Sequence, residues 1–398
     1  MLNRINPAGM AGVLVIMACL VPPRTEAQGI ARRVSAVRDG KVRLTFAARE
    51  EICGYGDGIS TGPNRKSNNG RTTFTSDHSE DVIYERECSE GPVRVVITMS
   101  AGAPERIKTY VGGRWRQTSG VTDIGNVSVR DATDYLLTVA NTQSGKAAGE
   151  AIFPVTLADS INAAQPLYAL AKNSARPKDV RGQAIFWLSQ LEDDRAVSML
   201  DDILKTSRDE DIGDKAIFGL SQHRSGKGFP ILRSYAESDA NPEDLRGKAI
   251  FWLGQRRSGD GENYLRGLYS RIRSEELRDK IIFSMSQQKS VESNQWLLDL
   301  VSNSNEPLEM RKKALFWAGQ GGASIEKLAS MYSRMDNREM KDQMIFVFSQ
   351  RHERAALDKL MDIAKNDPDR EARRKAMFWL GQSKDSRVAG FLSEMINR

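Results

Sequence analysis

An eight-residue phrase recurs seven times in this chain. It reads QAIFWLSQ at 183–190, KAIFGLSQ at 215–222, KAIFWLGQ at 248–255, KIIFSMSQ at 280–287, KALFWAGQ at 313–320, QMIFVFSQ at 343–350 and KAMFWLGQ at 375–382. Its phenylalanines, Phe186, Phe218, Phe251, Phe283, Phe316, Phe346 and Phe378, follow one another at steps of 32, 33, 32, 33, 30 and 32 residues. A fixed period in this range means a stack of like units, each unable to bury its apolar face alone. One more step of 33 back from Phe186 reaches Phe153 in GEAIFPVTLAD (149–159), an eighth, degenerate copy. Pro154 stands there in place of Trp or its substitutes, as suits an atypical first unit that caps the stack.

Each period has room for two helices. The phrase ends one of them. The other follows, as in AVSMLDDILKTS (196–207), SNQWLLDLVSN (293–303) and AALDKLMDIAKN (355–366), with apolar residues at helical spacing. Connectors such as NPED (241–244) and DPDRE (367–371) offer an Asn or Asp cap with proline in the first turn. On a helical wheel, Leu245, Ala249, Trp252 and Leu253 share one stripe, the expected core face. Gly254 sits where the other copies have Ser189, Ser221, Ser286, Gly319, Ser349 and Gly381, small residues that admit close neighbours. Trp appears in alternate copies, at Trp187, Trp252, Trp317 and Trp379, with Gly219, Ser284 and Val347 between. Large against small is how neighbouring layers interdigitate, so alternating core packing is expected; the other reading is an exposed Trp row.

Asp367-Pro368-Asp369 with Arg373, Lys375-Ala376 and Leu380-Gly381 resembles the short HEAT repeat, the type also called PBS-lyase HEAT-like. Asn241-Pro242, Leu245-Arg246, Ala249 and Leu253-Gly254 repeat the pattern. The resemblance covers roughly 145–398 and implies an α-solenoid of about eight two-helix repeats. It names no single function, because such arrays serve many roles. It also implies that Arg181, Arg246, Arg278, Arg311 and Arg373 pair with inter-helix aspartates, the alternative being an anion site.

Core packing leaves part of the phrase unexplained. Phe251 falls on the side of the wheel away from Leu245 and Ala249, with Lys248 and Gln255 flanking it. HEAT-like repeats usually carry a polar residue there. On one reading the Phe row packs laterally on the next unit. The Gln row (Gln190, Gln222, Gln255, Gln287, Gln320, Gln350, Gln382) then bonds backbone or stacked neighbours. On the other, Phe218, Phe251, Phe283 and Phe316 form a ladder on the inner surface, edged by Lys215, Lys248, Lys280, Lys313 and Lys375. Aromatic rows with basic edges suit an extended peptide or a partly acidic protein.

The N-terminal third differs. Arg4 followed by the apolar run AGVLVIMACLV (11–21) and small residues at Thr25 and Ala27 reads as a signal peptide over 1–27, too short to span a bilayer. A lipoprotein anchor at Cys19 is the second reading. Residues 28–126 are expected to form a small β-rich domain, with strands at 42–48, 72–76, 81–88, 93–99 and 106–115. The glycine-rich stretch 53–71 lacks phosphate-loop spacing and reads as a long loop. Cys53 and Cys88, alone after cleavage, are expected to pair, free thiols being the alternative. The solenoid is expected over 127–398, following the change of texture.

His78, His223 and His352 share no metal-ligand spacing, so neither metal nor cofactor is expected. His352-Glu353 is a single dyad, where HEAT-like iron hydroxylases use several. No nucleophile motif occurs, and the chain does not read as an enzyme. A net charge of +6 does not by itself indicate a nucleic-acid partner. The expectation is an exported scaffold, periplasmic or extracellular, that binds a protein or peptide. An anionic envelope polymer or lipid headgroup is the alternative partner, and a lyase or hydroxylase the remaining one.

Overall fold

The computed structural model describes residues 26–55, 58–61, 81–84, 88–255 and 259–396. The apolar run 11–21, Cys19 and the strand expected at 72–76 lie outside them. Contacts divide the chain into two compact units, 1–161 and 162–398.

The first unit opens with α1 (Glu26–Ser35), then β1 (Gly40–Phe46), β2 (Ile52–Tyr55), β3 (Gly58–Thr61), β4 (Val82–Ile83) and β5 (Ser89–Glu90). It continues with β6 (Val93–Ser100), β7 (Ala103–Val111), β8 (Arg114–Trp115) and β9 (Val121–Asn126), and closes with α2 (Val129–Thr142), α3 (Lys146–Glu150) and α4 (Ile152–Thr156). The main sheet runs β7-β6-β1-β9, with β1 antiparallel to β6 and parallel to β9. Val93, Val95, Ile97 and Met99 alternate into one buried face, as period-two spacing requires. Val96 points the other way, into a small cluster with Val82 and Tyr110. The Tyr110 hydroxyl donates there to buried Asp81 at 3.0 Å.

Three expectations change in this unit. The glycine-rich stretch begins as a hairpin of β2 and β3, paired from Ile52 with Thr61 to Tyr55 with Gly58. Ile52 and Ile59 bury there, so the segment earns apolar burial that its polar composition hid. The run 106–115 is broken by Gly112 and Gly113, both at positive φ. A Cβ on Gly112 would stand 2.1 Å from the Ser89 carbonyl oxygen, an approach only glycine permits. Helices α2 to α4 were assigned by texture to the solenoid, yet α2 packs on α1 and α3 on β7. Phe153 therefore sits in five-residue α4 of the first unit.

Cys53 and Cys88 form a disulfide with Cα atoms 5.3 Å apart. Non-reducing peptide mapping should recover the two linked peptides; two free thiols would contradict the pairing. The second unit has no cysteine, so reductant should leave its helical signal intact.

The second unit is a helical-repeat, solenoid-like stack of hairpins: α5 (Ala164–Lys172) with α6 (Lys178–Gln190), α7 (Arg195–Thr206) with α8 (Glu210–Gln222), and α9 (Gly228–Glu237) with α10 (Glu243–Gly254). There follow α11 (Gly259–Arg271) with α12 (Glu275–Gln288), α13 (Val291–Ser302) with α14 (Leu308–Gln320), α15 (Ile325–Tyr332) with α16 (Arg338–Ser349), α17 (Arg354–Asn366) with α18 (Arg370–Gly381), and lastly α19 (Ser386–Ile396). The second helices stack in order from α6 to α18, and each ends on the repeated phrase. Leu245, Ala249 and Leu253 are buried as expected, as is the residue before each Phe from Ile185 to Ile345. Ser274, Asn337 and Asp369 cap α12, α16 and α18 by accepting backbone N–H bonds, whereas Pro177, Pro242 and Pro307 themselves stand at the cap positions of α6, α10 and α14.

The Arg row is structural. Each guanidinium reaches back to a carbonyl at or just beyond the end of its hairpin's first helix. Arg181 donates to Ala171 at 2.9 Å, Arg246 to Ala236 at 2.9 Å, Arg278 to Ile272 at 2.8 Å, Arg311 to Val301 at 3.0 Å and Arg373 to Asp367 at 2.6 Å. These bonds satisfy carbonyls that a helix end leaves unpaired. Arg246 adds the expected connector aspartate, Asp239, at 2.7 Å.

Candidate functional site

Stacking of the second helices alternates between two kinds of step. From a Trp-bearing copy to the next, the helices approach through small residues. A Cβ built on Gly254 would lie 2.7 Å from Ser284 Cβ, and one on Gly319 would lie 2.4 Å from Val347 Cγ1. One on Gly219 would lie 3.2 Å from Ser189 Cβ. At two of these close steps phenylalanines stack almost in parallel: Phe251 on Phe283 and Phe316 on Phe346, each at 6.3 Å between ring centroids.

At the other steps an indole fills the gap. Trp252 meets Phe218 at 5.1 Å, Trp317 meets Phe283 at 4.8 Å and Trp379 meets Phe346 at 5.3 Å. Each also stands edge-on to the Phe beside it, Phe251, Phe316 and Phe378. The rings thus touch in one line: Phe218, Trp252, Phe251, Phe283, Trp317, Phe316, Phe346, Trp379, Phe378. The structural repeat is a pair of hairpins, which is why Trp187, Trp252, Trp317 and Trp379 recur at 65, 65 and 62 residues.

These rings lie at the border of core and solvent. Phe218, Phe251, Phe283, Phe316 and Phe346 are half-buried, as are Trp252, Trp317 and Trp379. Trp187 is 8% exposed and Phe378 is 59% exposed. The two readings of the Phe row therefore merge: the rings pack laterally on the next unit and still present an edge outward. Alternating core packing holds for Trp187 alone. The other indoles wedge between phenylalanines at the rim, each touching the Phe of the preceding copy and its own.

The lysine edge is smaller than expected. Lys248 pairs with Asp214 at 3.6 Å, Lys313 with Asp279 at 3.0 Å, and Lys375 with Asp342, each tying two copies across a Trp-filled step. Lys215 and Lys280 stay exposed without an ion-pair partner among the described residues, their stems lying along Gly182 and Gly247. The overlooked signal was in plain view: an aspartate precedes the phrase in each copy that lacks Trp after the first, at Asp214, Asp279 and Asp342.

The Gln row follows the small residue before it. Gln190, Gln222, Gln287 and Gln350 donate to the preceding Ser hydroxyl at 3.1–3.2 Å. Those hydroxyls donate in turn to the Phe carbonyls at 2.6–2.7 Å. Gln255, Gln320 and Gln382 follow glycine, have no such serine, and are exposed.

The His352-Glu353 dyad has another occupation. Arg351 holds both Glu353 carboxylate oxygens at 3.0–3.1 Å, which pulls that carboxyl down to about 2. Arg351 also donates to the carbonyls of Gly319 and Ala323, so the clasp joins neighbouring hairpins. Among the described residues no three His, Cys, Asp or Glu side chains gather as a metal site requires. No described helix is long and apolar enough to cross a membrane.

No family model and no curated protein matches the chain. Among solved structures it is similar to human deoxyhypusine hydroxylase at 17% identity, over 64% of this chain and 96% of that one, with a TM-score of 0.28. It is similar to lipovitellin at 12% identity, over 77% of this chain and 40% of that one, with a TM-score of 0.45. The phycocyanin lyase complex of CpcE and CpcF from Nostoc sp. PCC7120 matches at 15% identity, over 63% of this chain and 94% of that one, with a TM-score of 0.28. Likenesses at this level assign no activity to this chain.

Proposed function

We propose that this protein is an exported HEAT-like repeat scaffold that holds an extended peptide along the ring row of its second helices. The observation that carries this reading is the line of half-buried rings from Phe218 to Trp379 that ends on exposed Phe378. Aromatic side chains anchor protein interfaces, and exposed primary amides at Gln255, Gln320 and Gln382 offer both a donor and an acceptor to a peptide backbone. Pairing of Lys248, Lys313 and Lys375 favours this over an anionic polymer or headgroup, which needs free cations.

A peptide array probed with the full chain and with a Phe251→Ser/Phe283→Ser/Phe316→Ser variant tests it. The wild type should select a subset of peptides and keep them near 1 M salt, where the screening length is about 3 Å. The variant should lose them while its helical signal persists. Selection that survives the triple substitution, or that collapses with salt, rejects the reading.

A further inference from the structure

The lysines beside the ring row fall into two sets, and the residue one turn before each phenylalanine decides which. At the Trp-filled steps that residue is Asp214, Asp279 or Asp342, and it takes the lysine of the next copy. At the close steps from α6 to α8 and from α10 to α12 it is Gly182 or Gly247. A Cβ built on Gly182 would lie 2.5 Å from Lys215 Cε, and one on Gly247 would lie 3.4 Å from Lys280 Cγ. Glycine inside a helix costs stability relative to alanine, so the bare backbone at both places is matched to the lysine stem that lies on it. The stems are held and the ammonium groups are left over: Lys215 and Lys280 are exposed, with no ion-pair partner among the described residues. The third close step, from α14 to α16, is built differently. Lys312 replaces the glycine there, Gln343 replaces the lysine, and Lys312 is taken by Glu309 and Glu339.

Given the ring row as the peptide-binding surface, we infer that Lys215 and Lys280 select an extended peptide with two carboxylates about six residues apart and apolar side chains between them for the rings. Each lysine stands three residues before its phenylalanine, Phe218 or Phe283, and so on the same side of its helix. The two lysines are 65 residues apart, one two-hairpin repeat. That places them two helix spacings apart, about 16–20 Å at the usual spacing of about 8–10 Å between packed helices. A chain that rises about 3.1–3.3 Å per residue covers this span in about six residues. Six is a multiple of both two and three. Both carboxylates therefore leave one side of the peptide, whether it runs as a strand or as a polyproline helix. Lys248, which lies between the two, is already taken by Asp214, so an acid placed midway finds no free cation.

The probes are labelled synthetic peptides of one length, with leucine at alternate positions between two glutamates set four, six or eight positions apart. A matching set carries glutamine in place of both glutamates. Titrated into the full chain at low salt, the spacing of six should bind best, about fivefold tighter than its glutamine form, the size of two exposed ion pairs. Lys215→Gln or Lys280→Gln should each reduce that ratio to about twofold, and the two together should abolish it. Glutamine fits this position, since Gln343 holds it in α16. The triple Phe→Ser variant should lose the glutamate and glutamine forms alike. Equal affinity at every spacing, or a preference that survives the double lysine substitution, overturns the inference and leaves the ring row standing. Binding untouched by the triple Phe→Ser substitution overturns the ring row and the inference with it, as does absence of binding by every peptide near about 1 mM. Saturable binding to phosphatidylglycerol vesicles that the double lysine variant loses assigns the two cations to a lipid headgroup and also overturns it.

Discussion

Trp317→Ala should lower the stability of the second unit by about 3 kcal/mol, within the range for truncating a large aromatic. Among the described residues Trp317 is the only ring between Phe283 and Phe316, at 4.8 and 5.0 Å, and it fills the step from α12 to α14. Ser284, beside Phe283 in sequence, faces Gly254 of α10 and does not reach into this step. Removal therefore leaves a gap that its neighbours cannot close, and partial solvent access keeps the cost below that of a central core residue. In a stack coupled between neighbours, the loss spreads to adjoining hairpins and broadens the urea transition. A cost under about 1 kcal/mol, the usual size for a surface substitution, would show that the indole ornaments the surface and does not wedge the step.

Gly319→Ala should destabilise by about 1–2 kcal/mol, while Gly381→Ala should stabilise slightly. Overpacking a close contact costs roughly 1–3 kcal/mol, and replacing a helical glycine by alanine returns up to about 1. At Gly319 the new methyl meets Val347 Cγ1 at 2.4 Å, so α14 and α16 must separate. At Gly381 it meets nothing, and only the helix-propensity gain remains. Opposite signs at two equivalent phrase positions, read by paired thermal melts, are the mark of a glycine packed against a neighbouring helix and one that is not. Equal effects would contradict the close approach of α14 and α16 at Gly319.

Much of this was legible in the sequence because stacking repeats the same demand. The phrase gave the second helices and their core positions, since the residues that must bury recur with the period. The two-hairpin unit was also written there, in Trp187, Trp252, Trp317 and Trp379 alternating with Gly219, Ser284 and Val347. Its meaning was missed because a helical wheel shows one helix and cannot show a ring reaching its neighbour. The lysines misled for the same reason: Lys313 reads as a free edge until Asp279, in the preceding copy, is seen beside it. Phe153 imitates the phrase but lies in the first unit, where α2 to α4 join the β-rich part. The hairpin at 52–61 was hidden by glycine and polar residues, which are poor guides where a disulfide at Cys53 supports the strand.

The account stands or falls on whether the ring row is a surface. Thermal unfolding of Phe251→Ser, Phe283→Ser and Phe316→Ser, with Phe348→Ser as the internal standard, measures this directly. Phe348 is 1% exposed, and truncating it should cost about 3–5 kcal/mol. The three row residues should each cost about 1 kcal/mol, the size expected for a half-exposed side chain outside the core. Losses equal to that of Phe348 at all three positions would place the row in the core and leave no ladder for a peptide to bind.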